Sequence, residues 1–173
     1  GRYGRCRSAT FHRLASPPAW APDFYRDAAR TGGALVDLHI HDADFVRFAF
    51  GHPRRVKSTG SIDHVTTLYE YDDVDHVVAE GGWDHAPGHP FQMRYLVNFE
   101  DATADFDVAR ETPLLVHRNG ESEAIDLPPH TGYDAEVLAC MTAIRDGAPS
   151  PVPVADAVAV LELLEAERAS FSE

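Results

Sequence analysis

The sequence predicts an α+β domain: an open, mostly antiparallel sheet with helices packed on one face. Three observations predict it. Residues 54–127 carry short runs rich in Val, Leu, Tyr and Phe with partial alternation, split by turn residues, which is the pattern of a strand meander. The flanking regions instead place apolar residues at three- and four-residue steps, the period of a helix. The 173 residues are enough for one sizeable core and too few for two, so residues 1–173 are read as a single domain.

The elements follow in order. Residues 1–14 have β-compatible composition and no helical stripe, and read as a first strand. Ser16 to Pro22 is a stiff Pro-rich connection, and residues 22–30 form a short helix ended by Thr31-Gly32-Gly33. From Ala34 to Phe50 the pattern is helical, with Leu35, Leu38, Phe45, Phe48 and Ala49 as the expected buried stripe. Gly51 and Pro53 stop it in the expected order. The runs at 65–71, 74–83, 91–101, 103–109 and 113–118 belong to a set of five to seven strands. Asn119-Gly120 marks the sharpest hairpin, because both central positions of a type I′ turn need positive φ. Thr131 then caps a helix with Asp134 three residues on; Val137, Leu138, Met141 and Ile144 line one face, and Gly147 ends it. A last helix, about 154–169, centres on Val158, Leu161 and Leu164. A sheet covered on one side leaves a bare face. If that face carries Leu68, Val78, Tyr95 and Val97, the chain self-associates through it as a dimer or tetramer.

Composition narrows the function. Apolar residues at 44% and charged residues at 25% describe a globular protein, not a disordered tail. No apolar run approaches the ~20 residues that span a bilayer, and the basic start is followed by no apolar stretch with a small-residue cleavage site. A cytoplasmic protein with no membrane partner is expected. The net charge of −13 repels phosphate backbones and makes nucleic acid a poor partner. Lys57, read as a surface residue, is the only lysine, so no mechanism can use a lysine elsewhere in this chain. Cys6 and Cys140 lie far apart with no C-x-x-C, and are read as two reduced thiols.

The densest chemistry is Asp37-Leu38-His39-Ile40-His41-Asp42-Ala43-Asp44. On a helix Asp37 and His41 are four apart and share a side. A carboxylate so placed can hold the imidazole through one ring nitrogen and leave the other free to move a proton. Two chemistries compete for this patch. One is metal-dependent hydrolysis, since Asp-x-His-x-His on a strand puts alternate histidines on one side of a zinc ion. Against it, an amidohydrolase barrel needs roughly 250 residues, and a helix splays His39 from His41. No metal site is expected. The other is a proton relay for alcohol oxidation, which requires a base on the hydroxyl while hydride leaves for a coenzyme. The chain has no G-x-G-x-x-G, so no coenzyme-binding residues are expected in it. G-x-S-x-G is also absent, which disfavours a serine nucleophile.

Thr31-Gly32-Gly33-Ala34-Leu35-Val36-Asp37 through His41 and Asp44 resembles the G-G-x-L-x-D-x-x-x-H-x-x-D signature of the Gfo/Idh/MocA oxidoreductases, the relatives of glucose–fructose oxidoreductase and inositol dehydrogenase. The likeness continues through Ala79–Trp83, Phe91–Arg94, Val97–Asp101 and Tyr133–Gly147. It implies the C-terminal half of a two-domain enzyme whose N-terminal Rossmann domain, absent here, binds NAD or NADP. The chain itself is expected to hold neither coenzyme and to be inactive alone. It implies a small-molecule substrate of the sugar, polyol or hydroxy-compound class, and carries the acid–base role to Asp37 and His41. Where the family commonly has glycine, this chain has His39, which the resemblance makes a candidate substrate contact. Trp83, from the loop 83–90, and His130 are further substrate-binding candidates. Asp44 matches the later Asp of the signature and is read as structural. A non-catalytic binding or assembly module of the same fold is the alternative.

Overall fold

The computed structural model describes residues 1–172. Eight strands form one sheet: β1 (Cys6–Leu14), β2 (Arg55–Ser61), β3 (His64–Glu70), β4 (His76–Gly82), β5 (Gln92–Phe99), β6 (Thr103–Asp107), β7 (Leu114–Arg118) and β8 (Glu121–Ala124). Their order is β2-β3-β4-β1-β5-β6-β7-β8. β1 sits at the centre, parallel to β4 and antiparallel to β5, and every other pair is antiparallel. The parallel pair needs a long crossover, and the helices after β1 together with the hairpin β2–β3 supply it. The Asn119-Gly120 turn joins β7 to β8 with φ of 54° and 79°, as a type I′ turn demands.

The helices are α1 (Pro22–Tyr25), α2 (Ala28–Thr31), α3 (Ile40–Phe50), α4 (Gly132–Asp146) and α5 (Val154–Ala169), followed by a 3₁₀ turn at Ser170–Ser172. The single short helix expected over 22–30 is thus two, broken where the Asp27 side chain accepts the Ala29 N–H and caps the second. The segment read as one helix from Ala34 opens with a π turn, Leu35–His39, before α3 begins. Thr131 and Asp134 form the reciprocal capping box of α4, and Gly147 closes that helix in the left-handed conformation.

One side of β1–β4 is the core. Burial alternates along β3, with Val65, Thr67 and Tyr69 inward. Val77 and Ala79 of β4 and Ala9 and Phe11 of β1 join them beneath Leu35, Ala43, Val46, Leu163 and Leu164. Two expected stripes hold only in part: Leu35 and Leu164 are buried as expected, but the other residues named are not. On α3 the inward residues are Asp42, Ala43 and Val46, while Phe45 and Phe48 are exposed. On α5 they are Val160, Leu163, Leu164 and Glu167, while Val158 and Leu161 are exposed. Both helices bury a carboxylate, and the apolar stripe read from the sequence misses the turn of the helix on which it lies.

The other half of the sheet is bare. Of strands β5–β8, only Val116 is buried. Helix α4 buries nothing: Val137, Leu138, Met141 and Ile144 form the expected face, but each is at least 60% exposed. On the helix-free side of the sheet, Leu68, Val78, Thr10 and Leu96 lie in one cross-strand row. Tyr95 and Val97, expected on that side, instead face the core, where Tyr95 packs against Phe11 with ring centroids 5.1 Å apart. Lys57 is exposed, and Cys6 and Cys140 are free. No helix is long and apolar enough to cross a membrane among the described residues.

Candidate active site

The π turn and the first turn of α3 divide the acidic–histidine patch into an inner and an outer set. Gly32 and Gly33 lead in with φ of 75° and 68°, a backbone path that a β-carbon would strain. The N–H of Leu35 then donates to the carbonyl of Ile62 at 2.8 Å, tying the turn to the β2–β3 hairpin. A π turn is a wider loop of backbone than an α turn and is often found at functional sites.

The inner set is His39 and Asp42, both fully buried. His39 Nε2 lies 2.8 Å from Glu167 Oε2 on α5. The same carboxylate accepts from Thr67 Oγ1 at 3.0 Å and from the Tyr69 hydroxyl at 2.7 Å. Burial first, and the Glu167 charge second, hold the Tyr69 phenol well above its ordinary range, so it stays a donor. Asp42 takes a two-pronged contact from Arg13 on β1, Nε to Oδ2 at 3.1 Å and a terminal nitrogen to Oδ1 at 2.9 Å. The Tyr95 hydroxyl donates to Asp42 Oδ1 at 3.0 Å. Burial, then the Asp42 charge, raise the Tyr95 phenol, with Arg13 opposing. These two buried groups fix the start of α3 to α5 on one side and to the sheet on the other.

The outer set is Asp37, His41 and Asp44, all exposed. No side-chain hydrogen bond joins Asp37 to His41 among the described residues. His41 and Asp44 border a groove of about 380 Å³ shared with Phe45, Phe48, Tyr95 and Val152. Asp44 is therefore a groove residue; the structural carboxylate of the patch is Asp42, which the sequence reading left without a role.

The substrate-contact candidates do not gather at this groove. His39 has no exposed surface and is spent on Glu167, so it is a core residue and not a substrate contact. Gly81 makes its room: a β-carbon there would lie 2.7 Å from His39 Cβ. Gly81→Ala is expected to destabilise the protein by about 1–3 kcal/mol, the usual cost of overpacking. In a His39→Gly background, which lacks the β-carbon it meets, the same change should cost less, and a double-mutant cycle by urea unfolding will show it. Trp83 is 4% exposed and its indole N–H donates to Asp63 Oδ1 at 3.0 Å. It walls the core beside Tyr25. His130 is exposed on the connection before α4. Neither of these two lines the His41 groove.

The hydrolase alternative fails on this geometry. One imidazole of His39/His41 is sealed inside and the other faces out, so the two cannot share a metal ion. A different group, His64, Asp84 and His85, brings three donor atoms within 4.8 Å of one another. Its members lie twenty residues apart along the chain and carry no ligand spacing of their own, so the sequence alone does not point to it. Burial works to lower the His64 imidazole, but hydrogen bonds to Glu80 and Asp84 outweigh it and raise the group above its ordinary range.

Comparison with known proteins agrees with this architecture. Two solved structures superpose on nearly the whole chain. One is UDP-N-acetylglucosamine 3-dehydrogenase GnnA from Acidithiobacillus ferrooxidans, with a TM-score of 0.79, 20% identity, and coverage of 99% of this chain and 56% of that one. The other is levoglucosan dehydrogenase in complex with NADH and levoglucosan, with a TM-score of 0.79, 17% identity, and coverage of 98% and 57%. At such identities the likeness shows a shared fold, and the chain spans little more than half the length of either. No curated protein sequence matches it significantly. Residues 1–105 match the family described as the GFO/IDH/MocA C-terminal domain, which takes in the π turn, the Asp37–Asp44 patch and the strands through β5, and the chain belongs to that family.

Proposed function

We propose that the chain is the substrate-facing half of an NAD(P)-dependent oxidoreductase that oxidises a hydroxyl of a sugar, polyol or related hydroxy compound. One observation carries the reading. Along a single stretch of helix, His39 and Asp42 are spent on buried anchors, while Asp37 and His41 are turned outward with no side-chain hydrogen bond of their own. A rigidly held turn that presents an unpaired carboxylate and imidazole suits proton transfer. The names of the two structural relatives support the substrate class, since both are dehydrogenases of carbohydrates and one is complexed with NADH.

The sequence has no G-x-G-x-x-G, the turn that cradles a dinucleotide's phosphates in Rossmann folds. The coenzyme, which would accept the hydride, is therefore assigned to the part of the enzyme beyond this chain. The chain's own contribution is the proton. His41 takes it from the substrate hydroxyl, and the Asp37 carboxylate favours the imidazolium that forms. The bare half-sheet β5–β8 and the uncovered face of α4 are the surfaces offered to the N-terminal domain. The row Leu68, Val78 and Leu96 is offered to a second copy of the chain.

The test is a coenzyme-reduction assay of the full-length protein against a panel of sugars and polyols, with NAD and NADP in turn. Turnover of at least one member is expected. A full-length protein that binds coenzyme yet oxidises no member of the panel would overturn the reading.

A further inference from the structure

At the C-terminal end of β4, one residue on from the Gly81 that packs on His39, the residues carry a site that the oxidoreductase reading does not use. We propose that His64, Asp84 and His85 bind a divalent transition-metal ion of the zinc class. The donors come from two places that the fold holds together: His64 opens β3, and Asp84 and His85 begin the loop between β4 and β5. His64 Nδ1 lies 2.6 Å from Asp84 Oδ1, and His85 Nδ1 lies 3.6 Å from that same oxygen. A tetrahedral ion bound at about 2.0–2.2 Å holds its donors roughly 3.3 Å apart. The second distance is close to this already. The first needs only a small swing of Asp84, whose side chain is 55% exposed.

Two geometric features favour a cation among these atoms. His85 Nδ1 is shielded from solvent, has no hydrogen-bond partner and lies within 4.8 Å of the other two donor atoms. An ion placed between the three satisfies it together with Asp84 and His64. His64 Nε2 lies 3.0 Å from Glu80 Oε1, so Glu80 takes the part of the outer carboxylate that orients a ligating histidine.

The site is held in advance of binding. The Trp83 backbone N–H donates to the Asp63 carbonyl at 3.0 Å, fixing the start of the loop against the β2–β3 turn. Ser16 Oγ donates to the Ala86 carbonyl at 2.7 Å. The rings of His85 and His89 stack at 4.3 Å, and Gln92 Nε2 holds His89 Nε2 at 3.2 Å. Two imidazoles and one carboxylate suit Zn²⁺, Co²⁺ or Ni²⁺ rather than Ca²⁺ or Mg²⁺, which take oxygen donors. Three protein ligands leave a fourth position for water or a small ligand. Bound there, the ion clips the loop 83–90 to β3.

The experiment is titration of the metal-free protein with Zn²⁺ by calorimetry, and with Co²⁺ by visible absorption. One equivalent should bind, with the intense visible bands of four-coordinate Co²⁺ and a rise in unfolding temperature. His85→Ala should weaken binding by roughly tenfold or more, and Glu80→Gln by about 10–100-fold. His52→Ala, at an exposed histidine outside the cluster, should leave it unchanged. His85 is the deciding variant because its Nδ1 gives up no hydrogen bond, so the fold is expected to survive the change; His85→Gln provides a second. No saturable site, or Zn²⁺ binding equal in wild type, His85→Ala and His85→Gln, would overturn the proposal. Dehydrogenase activity does not enter this readout, so the outcome is separate from that of the oxidoreductase reading.

Discussion

His41→Ala in the full-length enzyme is expected to lower kcat by about 10²–10⁴-fold, the range that a positioned general acid–base group supplies. The expectation rests on where the residue sits. His41 is exposed on the first turn of α3, at the edge of a groove, and its backbone is held by the buried contacts of His39 and Asp42 on either side. Removing its imidazole removes the proposed proton acceptor without disturbing those anchors, so the folded state should be nearly unaffected. Asp37→Asn should give a smaller fall, because it removes the charge that favours the imidazolium but leaves the base in place. Steady-state kinetics separates the roles. A transition-state function lowers kcat and kcat/KM together, whereas a residue that only binds substrate raises KM with kcat unchanged. An activity loss below about threefold for His41→Ala, in a protein with an unchanged unfolding curve, would remove this residue from the chemistry.

The sequence made some of this visible. Local signals were read correctly where the physics is local. The Thr131–Asp134 capping box, the Asn119-Gly120 turn and the Gly147 stop each depend on a few consecutive residues, and each stands in the structure as expected. What was not legible depends on partners far along the chain. The burial of His39 is made possible by Glu167, which lies 128 residues away. That of Asp42 is made possible by Arg13 and Tyr95, at separations of 29 and 53. A periodicity argument assumes that apolar residues are the ones that turn inward. On α3 it therefore chose Phe45 and Phe48 and left the two buried polar residues on the wrong side. The π turn has no sequence signal of its own in this stretch.

The exposed aromatic and aliphatic residues teach the complementary lesson. Phe45, Phe48 and the face of α4 read as core because they are apolar and regularly spaced, and that reading of their chemistry is sound. Among the described residues nothing covers them, and their exposure depends on what packs there rather than on their own chemistry. The His64–Asp84–His85 group, like the buried anchors, depends on distant partners: the pairing of β3 with β4 brings together residues twenty apart in the chain.

Glu167→Ala is expected to destabilise the protein by about 3–5 kcal/mol, the cost of removing one partner from a buried, hydrogen-bonded polar group. For a chain of this size that is roughly a 6–20 °C fall in Tm. The carboxylate has no exposed surface and accepts from three side chains on two elements: His39 in the π turn, and Thr67 and Tyr69 on β3. Alanine removes the acceptor that all three share inside the core, where each hydrogen bond left unmade costs about 1–3 kcal/mol; Thr67 keeps Ser58 Oγ at 2.7 Å, and Tyr69 and His39 keep each other at 3.3 Å, which holds the total to this range. It also frees the end of α5. Ser170, three residues on, donates to the Glu167 carbonyl at 2.9 Å and accepts the Ser58 N–H of β2 at 2.8 Å, so that end of the helix is the seam between α5 and the sheet. Glu167→Gln tests which part of the effect is charge. Its amide keeps the size and one acceptor, and its NH₂ can donate to a neutral His39, so the loss should be well below that of alanine. Urea unfolding of the two variants beside wild type makes the comparison. Equal losses would mean that the negative charge, rather than the hydrogen-bond geometry, holds the seam; a loss under about 1 kcal/mol for alanine would mean that the seam is held by apolar packing alone. The consequence for function follows from the same contacts. Because His39 is two residues from both Asp37 and His41, a loosened Glu167 seam should also lower the activity of the full-length enzyme, and Glu167→Gln should recover more of it than Glu167→Ala.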